Sequence, residues 1–197
     1  MPVPPHDALD TMAWVVGSAG ILLAITFARI SYDASKDTIL DVSKSKGFGL
    51  AFLALGLYLF INGLLIIAIW PFGAFAGGAY DVLYGGSSAI GGLLLLALGA
   101  AIFTNSGLRP ISYFAGIAGI YAINGAIGIL TYRLSKTPEI AALAFLAFAI
   151  TAILTVPLTH TNNKAARWLF IIVAALFGIL WLFLAATFTL GHLQQPV

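Results

Sequence analysis

Six apolar runs of about twenty residues each fill most of this sequence, and Asp, Glu, Lys and Arg collect at their edges. That spacing leaves few architectures. A helix needs roughly 20 apolar residues to cross the hydrocarbon of a bilayer, and there every backbone N–H and C=O must find its partner within protein. Hydrophobic residues make up 61% of the 197 and charged residues 8%, against roughly 25% charged in soluble domains. Most of this surface is therefore not built for water. The runs lie at about residues 9–31, 47–70, 82–104, 111–134, 139–159 and 168–190. They predict an all-α, polytopic membrane protein: one transmembrane domain over residues 1–197, a six-helix bundle in a cell membrane.

Local signals set the ends of the runs. Pro71 and Asn105-Ser106-Gly107 stop the second and third, while Pro110 opens the fourth at a position where its missing N–H does no harm. Residues 32–46 are the most polar connection; Ile39 and Leu40 sit among its charges, which predicts a short interfacial helix. The first sixteen residues carry Asp7 and Asp10 but no Lys or Arg, unlike a secretory signal, so the first run is expected to be a retained span. Arg29, Lys36, Lys44, Lys46, Arg109, Lys164 and Arg167 fall in the first, third and fifth connections, leaving Arg133 and Lys136 opposite. Basic excess marks the cytoplasmic face. Both termini, and the Gly-rich aromatic loop at residues 72–80, are thus expected outside.

Few polar groups enter the spans. Asn62 and Asn124 occur in a shared pattern, Gly56-Leu-Tyr-Leu-Phe-Ile-Asn-Gly63 and Ala118-Gly-Ile-Tyr-Ala-Ile-Asn-Gly125, at similar depths in two spans that run the same way. This echo points to a parallel internal repeat. With Tyr58 and Tyr121 one turn earlier, the asparagines either line a polar path or join helices by hydrogen bonds. Thr151, Thr155 and Thr159 recur every fourth residue near Pro157; their hydroxyls either hydrate a pore wall or bond the carbonyl one turn back. Gly20, Ala24 and Ala28, and likewise Ser88, Gly92 and Gly99, form small-residue faces suited to close helix contact. Asp81 is expected to cap the third span, and Glu139 to complement the dipole of the fifth.

What is missing narrows function further. No cysteine is present, which removes disulfides, thiolate catalysis and cysteine-held metals. His160 lies at one face, His6 and His192 at the other, and roughly 30 Å of hydrocarbon separates them; no metal, haem or other cofactor is expected. Ion-coupled carriers usually place charge on their pathway, and here every carboxylate and base can be drawn at a span end or in a loop. No phosphate-binding loop, HExxH motif or nucleophile–base pair appears, so an enzyme is not expected. The surplus of two positive charges is no nucleic-acid signal.

From Tyr84-Gly85-Gly86 to Arg109-Pro-Ile-Ser-Tyr-Phe114 the chain resembles a family of small archaeal and bacterial membrane proteins of unknown function. More distantly it is similar to the proton-gated urea channel and amide transporter family, in which a Tyr-Gly segment opens the third span and Arg-Pro-x-Ser the fourth. That resemblance implies six spans, outside termini and hexameric rings with an aromatic-lined pore in each protomer. It implies Tyr84, Trp181 and the Tyr58/Asn62 face as pore residues. Two departures stand out: Phe177 occupies the position before Gly-Ile-Leu where that family has an acidic residue, and residues 72–80 carry no titratable group.

The expectation is a passive channel or facilitator for a small neutral, urea- or amide-like solute. Its pore candidates are Tyr58, Asn62, Tyr84, Tyr121, Asn124, Thr151, Thr155 and Trp181, and its partners are the lipid bilayer and further copies of itself. The alternative is an accessory subunit that offers its small-residue faces to the helices of a larger membrane complex.

Overall fold

In the computed structural model the described residues are 8–32, 39–71 and 78–193. His6, Lys36, most of the Gly-rich loop and the side chain of His192 lie outside them. Helix α1 runs Ala8–Arg29, α2 Lys46–Ile69, α3 Gly86–Thr104, α4 Arg109–Tyr132, α5 Pro138–His160 and α6 Lys164–Leu193. All six, α3 taken with the π-helical turn Asp81–Gly85 before it, are long and apolar enough to span a membrane. Each helix packs on its neighbours in chain order, and α6 closes on α1, so the six form a ring.

Glycine sets how tightly the ring closes. A Cβ on Gly20 of α1 would sit 2.6 Å from the Cα of Gly178 on α6, and one on Gly56 of α2 would sit 2.6 Å from the Leu96 nitrogen on α3. Gly119 of α4 approaches the Ala149 carbonyl of α5 in the same manner. In lipid, helices associate through such contact rather than through expulsion of water. The pairs α1–α6, α2–α3 and α4–α5 are therefore the tight ones, and the seams α1–α2 and α3–α4 are looser. Gly92 and Gly99 meet α2, whereas Ala28 of the first small-residue face is exposed. Leu50, Leu57, Leu64, Ile117 and Ile172 point outward, as bilayer-facing side chains should.

One end of the bundle holds Arg29, Lys44, Lys46, Arg109, Lys164 and Arg167; it is called the basic end below. The end where α1 begins and α6 stops holds Arg133 and Lys136, and the C-cap Arg133 adopts left-handed backbone with φ 50°.

The structure corrects two local expectations. The first connection contains no interfacial helix at Ile39 and Leu40. Strand β1 (Ser31–Tyr32) pairs antiparallel with β2 (Leu40–Asp41), and a 3-10 turn Ser43–Ser45 leads into α2. The ladder satisfies backbone groups while Leu40 and Val42 bury in the core, which an interfacial helix would not allow. Asp81 does not cap α3. Helical backbone is already present at Ala79 and Tyr80, and Asp81 sits fully buried in the π-helical turn that follows.

Arg167 was not singled out by pattern. Its guanidinium donates to the carbonyls of Phe27, Ala28 and Ile30 and lies 5.2 Å over the Tyr32 ring. It thus fills acceptors that the end of α1 leaves open.

Candidate functional site

The ring of helices encloses an axial cavity of about 140 Å³ to which every helix contributes. By volume it admits on the order of ten waters. Helical spacing explains the lining. On α5, Phe145, Phe148, Thr151, Thr155 and Thr159 recur at three or four residues and face inward together. Ser87, Ser88, Gly91, Leu94, Leu95 and Leu98 do the same on the third span. From Phe145 to Thr159 the cavity follows the axis for about 21 Å, against a hydrocarbon core of roughly 30 Å.

Aromatic rings close on it at both ends. Tyr84 and Phe145 meet edge to face at 6.2 Å, and Phe145 lies 5.7 Å from Trp181. The Tyr84 hydroxyl donates to the Leu134 carbonyl at 3.1 Å, which ties the third span to the end of α4. Tyr84 lies within the π-helical turn and is buried there. Phe148 stacks on Phe177 at 5.5 Å farther in. Toward the basic end, Phe27 and Phe170 meet at 4.8 Å beside fully buried Leu158.

Between these rings the lining is mostly apolar, and its few polar groups include the hydroxyls of Ser87, Ser88, Ser112, Thr151, Thr155 and Thr159. Among the described residues, no Asp, Glu, Lys, Arg or His lines the cavity. The Thr151 hydroxyl bonds the Ala147 carbonyl at 2.7 Å, and that of Thr155 the Ala152 carbonyl at 2.6 Å. The hydroxyls thus bond their own helix, and both residues line the cavity. Each hydroxyl oxygen can still accept a hydrogen bond. Trp181 Nε1–H is buried and makes no hydrogen bond among the described residues. At the basic end a network joins the start of α4 to the end of α5. Thr159 Oγ1 donates to Ser112 Oγ at 2.9 Å, Arg109 Nε to the Thr159 carbonyl, and Tyr113 bonds His160 Nε2 at 2.8 Å.

Of the residues read from sequence as pore candidates, Tyr84, Thr151, Thr155 and Trp181 lie together on this cavity. Tyr58, Asn62, Tyr121 and Asn124 do not line it. Asn62 Nδ2 donates to the Tyr58 carbonyl and Asn124 Nδ2 to the Ile120 carbonyl, one turn back on their own helices. Tyr121 reaches the Val82 carbonyl at 3.4 Å. The physical reason is angular: Gly56 and Gly63 must face α3 and Ala118 and Ala122 must face inward, which turns the amides away. Ser87, Ser88, Ser112, Phe148 and Phe177 were not among the candidates although they line the cavity. The i, i+3/i+4 spacing of Ser87/Ser88, Gly91 and Leu94/Leu95 was the available signal.

The family model for "Protein of unknown function (DUF981)" matches residues 5–195. The chain belongs to that family. Among solved structures, this DUF981 protein is similar to the closed-state cryo-electron microscopy structure of the Helicobacter pylori urea channel. The TM-score is 0.65 and the identity 15%, covering 93% of this chain and 98% of that one. At that identity the likeness is one of fold. With the six apolar helices, it makes the DUF981 chain a six-span, multi-pass membrane protein of the same fold. No curated protein matches it.

Proposed function

We propose that this protein is a passive channel or facilitator for a small neutral solute of the urea or short-amide class. The observation that carries the reading is the axial cavity: lined by all six helices, mostly apolar, furnished with a few hydroxyls and an indole N–H, and without a charged residue among the described residues that line it. A charged solute inside hydrocarbon-depth protein is costly unless a fixed counter-charge meets it. A neutral molecule with hydrogen-bond acceptors needs only the donors and lone pairs present. The resemblance in fold to a urea channel supports the same reading. In the proposed orientation the basic end is cytoplasmic, following the Lys/Arg excess.

Stopped-flow swelling of proteoliposomes with urea, short amides, glycerol and ammonia tests the proposal. Flux above empty vesicles is expected for at least one of them. Gly91 supplies the control, because a Cβ there meets nothing within 4 Å and the residue lines the cavity. Gly91→Leu is expected to cut flux at least tenfold with helix content unchanged. Absence of flux for every solute would reject the reading. Stoichiometric partner proteins in a mild-detergent preparation without flux would favour an accessory subunit instead.

A further inference from the structure

Asn124 stands in the middle of the outward stripe of α4, among Tyr113, Ile117, Ile120 and Ile127, which are 57%, 66%, 58% and 56% exposed. Its one hydrogen bond among the described residues runs to the Ile120 carbonyl at 3.1 Å. Asn62 is half-buried at the outer edge of α2, beside exposed Ile61 and Leu65, and bonds the Tyr58 carbonyl at 2.8 Å. Each carboxamide keeps a carbonyl oxygen and one N–H unused. Facing acyl chains, which can neither donate nor accept, those groups are left at a cost.

Both helices start at the basic end and run the same way. Counted from Lys46 and Arg109, the two amides lie about 24 Å and about 22 Å along their helices. Copies of the chain sharing one bilayer plane therefore hold Asn62 and Asn124 at one depth. A carboxamide is its own complement, a donor beside an acceptor. We propose that Asn124 on α4 of one copy hydrogen-bonds Asn62 on α2 of the next, with the outer face of α4 laid against α2. A single kind of contact then satisfies both amides, whereas a two-fold Asn124–Asn124 contact leaves Asn62 facing lipid. Because the two surfaces differ, the contact is heterologous and, within a membrane plane, repeats until a ring closes. Nothing in this depends on what passes through the cavity.

The absence of cysteine makes the test direct. Differently tagged Asn62→Cys and Asn124→Cys chains, co-expressed and oxidised in the membrane, are expected to give a cross-linked dimer carrying both tags. No cross-link, or products carrying one tag alone, overturns the pairing. Asn124→Leu suits lipid and leaves the cavity untouched. It is expected to weaken association about tenfold by native mass spectrometry, with helix content and cavity flux retained; an unchanged oligomer overturns the proposal.

Discussion

Arg167 illustrates how one side chain joins distant parts of the chain. It is 137 residues from Ile30, yet its fork fills the last carbonyls of α1 and stacks over Tyr32. Replacing it with alanine is expected to destabilise the protein by about 2 kcal/mol, the range of charge-assisted hydrogen bonds, in denaturant titration of the detergent-solubilised protein. Arg167→Lys should recover only part, since an ammonium lacks the planar fork. Tyr32 provides a second reading of the same site. Burial raises its phenol pKa above the ordinary value of 10.0, and the Arg167 cation pulls it partly back. The folded state thus holds this proton longer than the unfolded chain does. Its contribution to stability is constant below pH of about 10 and declines above it. The difference in ultraviolet titration between wild type and Tyr32→Phe should show the raised value, and Arg167→Ala should raise it further. Neither contact was legible in the sequence, because an arginine's partners across 137 residues follow from helix packing alone.

At the scale of the element, glycines divide by what they face. A Cβ on Gly63 would run into the backbone of Ala89 and lie 2.7 Å from the Gly85 carbonyl. Gly63→Leu is expected to push α2 from α3 and cost about 3 kcal/mol or more, the upper range of overpacking. Gly128, with nothing within 4 Å, is expected to accept alanine with a gain of about 0.5–1 kcal/mol. A shift in thermal midpoint of opposite sign for the two variants checks both. The shared Asn-Gly pattern in α2 and α4 could be read directly, and its asparagines do make the same bond to the preceding turn. Which side of the helix they occupy could not be read, since that follows from where the close glycine contacts fall. The π-helical turn before α3 was equally hidden. A single π turn is hard to see in the pattern of an almost wholly apolar span, and this one holds buried Tyr84.

For the whole molecule, the proposed orientation gives a prediction of its own. Single cysteines at Lys44 and Lys136, on opposite ends of the bundle, should differ in intact cells. A membrane-impermeant thiol reagent is expected to label position 136 and spare position 44; the reverse pattern inverts the topology. What the sequence determined unaided is the class of object: six helices with charges at their ends. Hydrocarbon permits little else for runs of this length, and that constraint acts on each segment locally. Tertiary structure alone decided that the six helices close into a ring and that the threonine stripe of α5 turns inward while the asparagines turn out. Those outcomes depend on where pairs of small residues let two backbones meet, a property of two segments together that neither carries by itself.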